Sequence, residues 1–221
     1  VADETVRRRA YGGQSADQRK AVRRGRLIDA ALTSMADGAW RAETVARLCA
    51  RAELNKRYFY ESFTDLDQLA VAAIDQIAQE VGQAALDAYA ASAGLPLAGQ
   101  ARAAIGAVVH GLADDPRKAR VLFGMVGGPP LIQQHRAAVV QGLTEILMDH
   151  ARAIHGVELA ADSLARTAPP FVVGGTAETI LAWVNGTVAV PLDILIDDLT
   201  TLWLITGNGA ADHARHRVRN P

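Results

Sequence analysis

The chain has 221 residues, half of them hydrophobic and 21% charged, with a formal net charge of −1 at pH 7. That length and apolar content suffice for one large or two small domains with a substantial core, while apolar runs broken by Gly, Pro or charge fall short of the ~20 residues a membrane span needs. No signal peptide opens the sequence, so a soluble cytoplasmic protein without membrane attachment is expected, and the single cysteine, Cys49, excludes an intramolecular disulfide framework or a Cys-rich metal site.

The charge is unevenly spread. Residues 1 to 62 hold 13 Arg or Lys against 8 Asp or Glu, and residues 63 to 221 hold 10 against 16. The positive pole therefore lies at the N-terminal end, where it can meet a nucleic acid that the rest of the chain would repel. Arg outnumbers Lys by 20 to 3, and its planar fork suits guanine edges and phosphates better than an ammonium does.

Residues 1–17, with Arg7, Arg8, Arg9 and Gly12-Gly13, read as a flexible basic tail: either a solvated segment or an arm for the minor groove. Ser15 and Gln18 then form a capping-box pattern, and Leu27, Ile28, Ala31, Leu32 and Met35 recur at helical spacing up to about Asp37. The next stretch, Thr44 to Phe63 (TVARLCARAELNKRYFYESF), predicts two short helices broken by a tight turn. Val45, Leu48, Cys49 and Ala52 share one face, with Thr44 capping the first helix and Asn55 the second. Cys49 reads as a small buried core residue. Helices this short are marginal alone, so neighbours must hold them.

Downstream, Thr64 with Asp67 suggests another capping box, and Leu66, Leu69, Ala73, Ile74, Ile77, Val81 and Ala84 stripe a long helix over about 65–91. Further helices are predicted over about 97–113, from Pro116 to the break Gly127-Gly128-Pro129-Pro130, from there to about His155, and over about 169–189 and 191–206. A looser stretch through Thr167 precedes the last two. No strand pattern and no repeat is visible, which makes the fold class all-α.

With its flanks, Thr44 to Phe63 resembles the N-terminal domain of the TetR family of bacterial transcription regulators. The resemblance runs ungapped through the LIDAAL segment at Leu27 to Leu32, Trp40, Thr44, Leu48, Tyr60 and Phe63. It continues more weakly through ADDPRKARVLFGMVGGPPLIQQHR, Ala113 to Arg136, and GGTAETILAWVNG, Gly174 to Gly186. It implies a three-helix helix-turn-helix DNA-binding domain over 18–63, joined to a helical effector-binding and dimerisation domain over 64–206, with a C-terminal tail at 207–221. The implied partners are double-stranded DNA, a second copy of the chain and a small-molecule effector that shifts the stalk helix and separates the two heads. No cofactor and no metal is implied, and family habit favours repression. Two departures stand out. The family usually has Gly in the turn where this chain has Glu53, and a left-handed backbone there would cost a non-Gly residue roughly 1–2 kcal/mol. It also usually has small residues at the positions of Arg57 and Tyr58, and a basic one at Leu66, so one phosphate contact is absent.

On this resemblance Lys56, Arg57 and Tyr58, at the start of the recognition helix, are assigned to base edges and nearby phosphates. Thr44, Arg47, Asn55 and Tyr60 are assigned to phosphates, which set register without reading sequence. Phe59 and Phe63 should face the core of the head, and Glu61 either accepts from cytosine or sits in solvent. A twofold dimer would present its recognition helices to successive major grooves ~34–36 Å apart, so the operator should be nearly palindromic. Ile180, Trp183, Val184, Leu195, Leu199 and Leu202 are the expected dimer face. In the body His110, Phe123, Met125, Met148, Phe171, Trp183 and Asn185 are the polar and aromatic handles expected to meet the effector, which favours an apolar or aromatic molecule. Only a difference in affinity between two head spacings would let such a ligand act.

An enzyme is not expected. The chain lacks a glycine-rich phosphate loop after a strand, a Gly-x-Ser-x-Gly elbow and His-Glu-x-x-His or Glu-x-x-His pairs, and its six His do not form a ligand set. The competing reading is a helical ligand-binding or scaffolding dimer that has lost specific DNA binding, motivated by Glu53, Ala46 and Leu66.

Overall fold

The computed structural model describes residues 15–124, 129–155 and 162–219, and all regular structure among them is helical. In chain order the elements are α1 (Ala16–Ala36), a 3-10 turn (Trp40–Ala42), α2 (Val45–Arg51), α3 (Lys56–Tyr60) and α4 (Leu66–Ala91). They continue with α5 (Leu97–Ala113), α6 (Pro116–Phe123), α7 (Pro130–His155), α8 (Ser163–Val184) and α9 (Leu192–Arg219). The basic segment Arg7 to Arg9 lies outside the described residues.

The head starts as its sequence dictates. Ser15 Oγ accepts from the Gln18 N–H at 3.1 Å while Gln18 Oε1 accepts from the Ser15 N–H at 2.7 Å, closing a capping box at the start of α1. From Leu27 onward α1 buries Leu27, Ile28, Ala31, Leu32 and Met35, but before that point nearly every residue is exposed, so about three turns of helix project beyond the core. Trp40, Leu48, Cys49, Ala52, Phe59 and Phe63 complete the apolar centre. That centre is continuous with the body through Leu69, Ile74 and Ile77 of α4 and on to Val109, Leu122, Ile180 and Leu199. Burial raises the thiol pKa of Cys49, which suits a packed core residue.

Three helices end in the same way. At the ends of α1, α2 and α8 the chain makes a paired 6→1 and 5→2 hydrogen-bond closure, with the residue after the cap in the left-handed region. For α1 that residue is Gly38 at φ +71°, and for α8 it is Gly186 at φ +78°. For α2 it is Glu53 at φ +53°, the one non-glycine residue with positive φ among the described residues. The Glu53 N–H donates to Ala50 O and the Leu54 N–H to Cys49 O, so the turn has the geometry its departure from glycine makes costly.

Several expected boundaries move. The α4 cap is Asp65, one residue past Thr64: Asp65 Oδ1 accepts from the Gln68 N–H at 2.8 Å, and Gln68 Oε1 accepts from the Thr64 N–H at 2.7 Å. The Gln68 N–H, and then the Thr64 hydroxyl donating to Oδ2 at 3.0 Å, hold the Asp65 carboxyl below its ordinary pKa. α6 stops at Phe123 instead of running to the Gly-Gly-Pro-Pro break, because Gly124, whose N–H still donates to Arg120 O, takes an extended conformation at φ −75° and ψ 175°. α8 begins at Ser163, not at 169, since Asp162 accepts from the Leu164 and Ala165 N–H groups and Pro169 and Pro170 sit inside the helix. α9 continues to Arg219, through what was expected to be a tail from 207. Ala210, Ala211 and Ala214 are buried, the last two in a cluster with Ala165 of α8, and Arg217 donates to Asp162 at 3.3 Å and to Ser163 Oγ at 3.0 Å. Those contacts offset Gly207 and Gly209, each costing about 1 kcal/mol in a helix interior.

No helix among the described residues is long and apolar enough to cross a membrane.

Candidate functional site

The outward side of α2 and α3 carries the residues the sequence singled out. Thr44 Oγ1 accepts from the Arg47 N–H at 3.2 Å, and Asn55 Oδ1 from the Tyr58 N–H at 3.2 Å, so both serve as caps and both are exposed. Lys56, Arg57 and Tyr60 are also exposed, and Tyr58 is half-buried. Phe59 is fully buried and Phe63 nearly so, which turns the other residues of α3 outward. The Tyr60 ring stands edge-on to Phe59 with centroids 5.2 Å apart, leaving the phenol end in solvent.

Glu61 is exposed, as the solvent alternative expected, and it also joins a surface ion-pair network. Its carboxylate accepts from Arg57 Nε at 3.2 Å and from Arg23 of α1 at 3.4 Å, and the Arg23 guanidinium lies over the Tyr58 ring at 4.3 Å. Arg23, Glu61, Arg57 and Tyr58 thus form one surface network joining α1 to α3. Arg57 is the most exposed member, its side chain 85% accessible, so the ion pair with Glu61 contributes little to stability and is easily exchanged.

Glu43 is the polar anchor of the head, and the sequence reading did not single it out. Its side chain is 3% accessible; it accepts from Ser34 Oγ at 2.6 Å and from the Thr44 N–H at 3.1 Å, and it pairs with Arg47 at 3.7 Å and Arg51 at 3.5 Å. A buried carboxylate needs several partners of this kind to offset its lost hydration. The result fixes the start of α2 against α1. The one available signal was an acidic residue directly before a Thr cap. A second missed set is Arg19, Lys20, Arg23, Arg24 and Arg26 on the projecting half of α1, where Arg24 also stacks on Phe63 at 5.2 Å. Leu66 packs against the core and, with Trp40, Arg41, Glu43, Asp67 and the Pro129-Pro130 pair, lines an open groove of about 390 Å³ between the head and the start of α7.

Short α6 ties three regions together. Arg117 donates to Asp115 at 2.8 Å, to Asp29 of α1 at 2.9 Å and to Thr33 of α1 at 2.7 Å. Lys118 donates to Glu80 of α4 at 2.8 Å, and Arg120 to Asn185 beyond α8 at 3.3 Å. Hydrogen bonding to Asp115 raises the Arg117 pKa further, and the reciprocal bonds hold Asp115 and Glu80 below the ordinary carboxylate range.

The described residues among those expected to meet an effector lie in differing surroundings. His110 is exposed, Phe171 is 70% accessible on the outer face of α8, and Asn185 is exposed and engaged by Arg120. Phe123 packs against the core, and Trp183 is half-buried with its indole N–H donating to Val190 O at 2.8 Å. Trp203 is likewise held, donating to Thr176 Oγ1 at 2.6 Å. Met125 and the side chain of Met148 lie outside the described residues. These positions were chosen for residue type, and type does not say which side of a helix faces inward.

The expected dimer face needs the same correction. Ile180, Leu195 and Leu199 are all at or below 2% accessibility inside the protomer, so they serve its own core. Trp183 and Val184 are half-buried, and only Leu202 of the expected set is exposed. The apolar surface left outside on α8 and α9 consists of Phe171, Ile194, Leu202 and Ile205. Among the described residues no group of three or more His, Cys, Asp or Glu is placed to hold a metal ion.

No protein-family model matches the chain, and no curated protein does. Solved structures do share its fold. A Syntrophomonas wolfei str. Goettingen protein assigned to the TetR family of transcriptional regulators superposes with a TM-score of 0.70 at 12% identity, over 85% of this chain and 95% of that one. A TetR-like transcriptional regulator from Rhodococcus sp. RHA1 gives 0.63 at 21% identity, over 86% and 97%. The transcriptional regulator FadR from Bacillus subtilis, solved in complex with stearoyl-CoA, gives 0.60 at 19% identity, over 81% and 96%. The chain therefore has the all-α fold of TetR-family regulators, as its sequence resemblance implied.

Proposed function

We propose that this protein is a DNA-binding transcription regulator that acts in the cytoplasm as a homodimer, reads a near-palindromic operator and is released by a small-molecule effector. The observation that carries this reading is the head: a helix-turn-helix whose apolar residues are buried and whose outward side bears Lys56, Arg57, Tyr58 and Tyr60 beside the cations of α1. The fold shared with TetR-family regulators supports it. In this reading Lys56, Arg57 and Tyr58 approach base edges, while Thr44, Arg47, Asn55 and Tyr60, with Lys20 and Arg24, hold phosphates. Arg57 exchanges Glu61 for DNA as it binds, and Glu61 keeps Arg23.

The dimer in this reading uses Phe171, Ile194, Leu202 and Ile205, a set of large apolar side chains that the protomer leaves in solvent. α6 carries the signal. A ligand that moves α8 against α4 pulls on Arg120 and Lys118, and Arg117 passes the motion to Asp29 and Thr33 in the head. The bound stearoyl-CoA of the Bacillus subtilis neighbour supports an effector with substantial apolar surface. Repression is the expected mode.

The test is selection of bound sequences from random duplex DNA, followed by footprinting. One protected palindrome, with affinity falling steeply as salt rises, is the expected outcome. Arg57→Ala should then cost about 1–3 kcal/mol and relax one operator position. Equal weakening on operator and random DNA would make Arg57 a phosphate contact. The rival reading, a ligand-binding or scaffolding dimer without specific DNA binding, is motivated by Glu53, Ala46 and Leu66, the last of which packs against the core. It predicts salt-sensitive binding with no protected site.

A further inference from the structure

Arg136 lies on the inward side of α7. Ile132, four residues before it, is fully buried, and Val139, three residues after it, packs against the main core. Helical spacing thus carries the arginine into the same apolar layer. Its guanidinium donates to Gly124 O, where α6 ends, and to Gln133 Oε1 at 3.0 Å. Its Nε is buried and has no hydrogen-bond partner.

Several cations of the body have carboxylate partners: Arg102 pairs with Asp197, Arg117 with Asp115 and Asp29, Lys118 with Glu80, and Arg217 with Asp162, while Arg120 donates to the Asn185 side-chain oxygen. Among the described residues no carboxylate pairs with Arg136; burial pushes its pKa down and no neighbouring anion opposes that shift. The carbonyl at the end of α6 offsets part of the charge, as a helix C-terminus does for a cation, but a half-buried guanidinium with a buried, unsatisfied Nε–H and no counter-ion remains unfavourable. Two bonds to uncharged oxygens leave the Nε–H and other donors of the fork unused, and an Arg fork matches the two oxygens of a carboxylate.

We infer that Arg136 receives the anionic group of the body's ligand, and that this ligand is an amphipathic organic acid, a carboxylate on an apolar chain or ring. The apolar part lies along the half-buried Val139 and Phe123. The inference rests on the effector-sensing role proposed above and changes its chemistry: a purely apolar effector leaves Arg136 unpaired.

The test uses the purified full chain and calorimetric titration near pH 7 with dodecanoate and 2-naphthoate, each against its neutral counterpart, dodecanol or 2-naphthol. At least one acid should bind about tenfold or more tightly than its alcohol, the scale of one charge-assisted pair. Arg136→Gln, which keeps a donor toward Gly124 and removes the charge, should bring that ratio to near one, and Arg136→Lys should retain part of it. The unliganded Arg136→Gln protein should melt no lower than the parent, because a half-buried charge without a counter-ion has been removed; Arg136→Leu repeats the measurement if the Gln variant does not fold. Equal affinity for acid and alcohol, no binding of either acid, or a preference that survives Arg136→Gln would overturn the inference. A gel-shift assay without added acid reports separately on the proposed function. DNA binding without acid binding sinks the inference alone, and acid binding without DNA binding sinks the regulator reading alone.

Discussion

The head and the body share one apolar core but leave different things outside it. In the head the exposed surface is mostly cationic, and its large exposed apolar side chains are Val22 and Tyr60. In the body, α8 and α9 expose Phe171, Ile194, Leu202 and Ile205, while α6 and α7 place cations between helices. The head is finished as a free surface and presents charge to a charged partner. The outer face of the body is unfinished as a free surface, and its polar chemistry points inward.

The contrast can be broken from either side. The largest effect is expected from Phe59→Ala, which removes a fully buried ring from α3 and should cost about 3–5 kcal/mol. Phe171→Ala, on the exposed face of α8, should leave protomer stability nearly unchanged, and thermal melts of both variants check the difference. Leu202→Asp should next convert a dimer to a monomer in equilibrium sedimentation and weaken operator binding by roughly 10²–10⁴-fold through lost avidity. An unchanged dimer would move the interface off α9.

A smaller effect probes the polar link between the regions. Arg117→Ala should cost roughly 1–2 kcal/mol, the sum of partly exposed pairs and hydrogen bonds. Asp115, the carboxylate bound to Arg117, has a depressed pKa, so what this pair contributes is present above about pH 4 and is lost as pH falls through the lower folded value. The gap in melting temperature between parent and Arg117→Ala should therefore close below about pH 4. The smallest effect is a gain: Glu53→Gly should stabilise the head by about 1 kcal/mol, measured by denaturant unfolding, because Gly38 and Gly186 already make the same turn without that cost. A loss would mean that Glu53 makes a contact worth more than its strain.

These features were not equally legible in the sequence. The Ser15, Thr44 and Asn55 caps follow from short-range spacing, while the inward direction of Phe59 and Phe63 and the costly turn at Glu53 follow from the family resemblance. A cap acts within three residues and a helical face within seven. The body depends on longer-range facts. Apolar periodicity identified the stripe on α9 but not what covers it, so Leu195 and Leu199 were assigned outward when α5 and α8 bury them. Pro169 and Pro170 read as a helix start because a proline removes a backbone donor, yet Asp162 had already opened α8 a turn and a half earlier. The expected tail from 207 is helical instead, held by partners, Ala165 and Asp162, that lie more than forty residues away in the sequence. Arg136 was passed over for a similar reason. A lone arginine is ordinary in a sequence, and only its burial without a counter-ion makes it informative.

The three tryptophans lie in places that make the two regions optically separable. Trp40 is buried in the head beside the groove at the start of α7, while Trp183 and Trp203 are held by hydrogen bonds within the body. A chain in which Trp183 and Trp203 are both Phe would fluoresce from the head alone, and one with Trp40→Phe from the body alone. The order in which heat, acid or a ligand perturbs the two emissions would then show which region yields first.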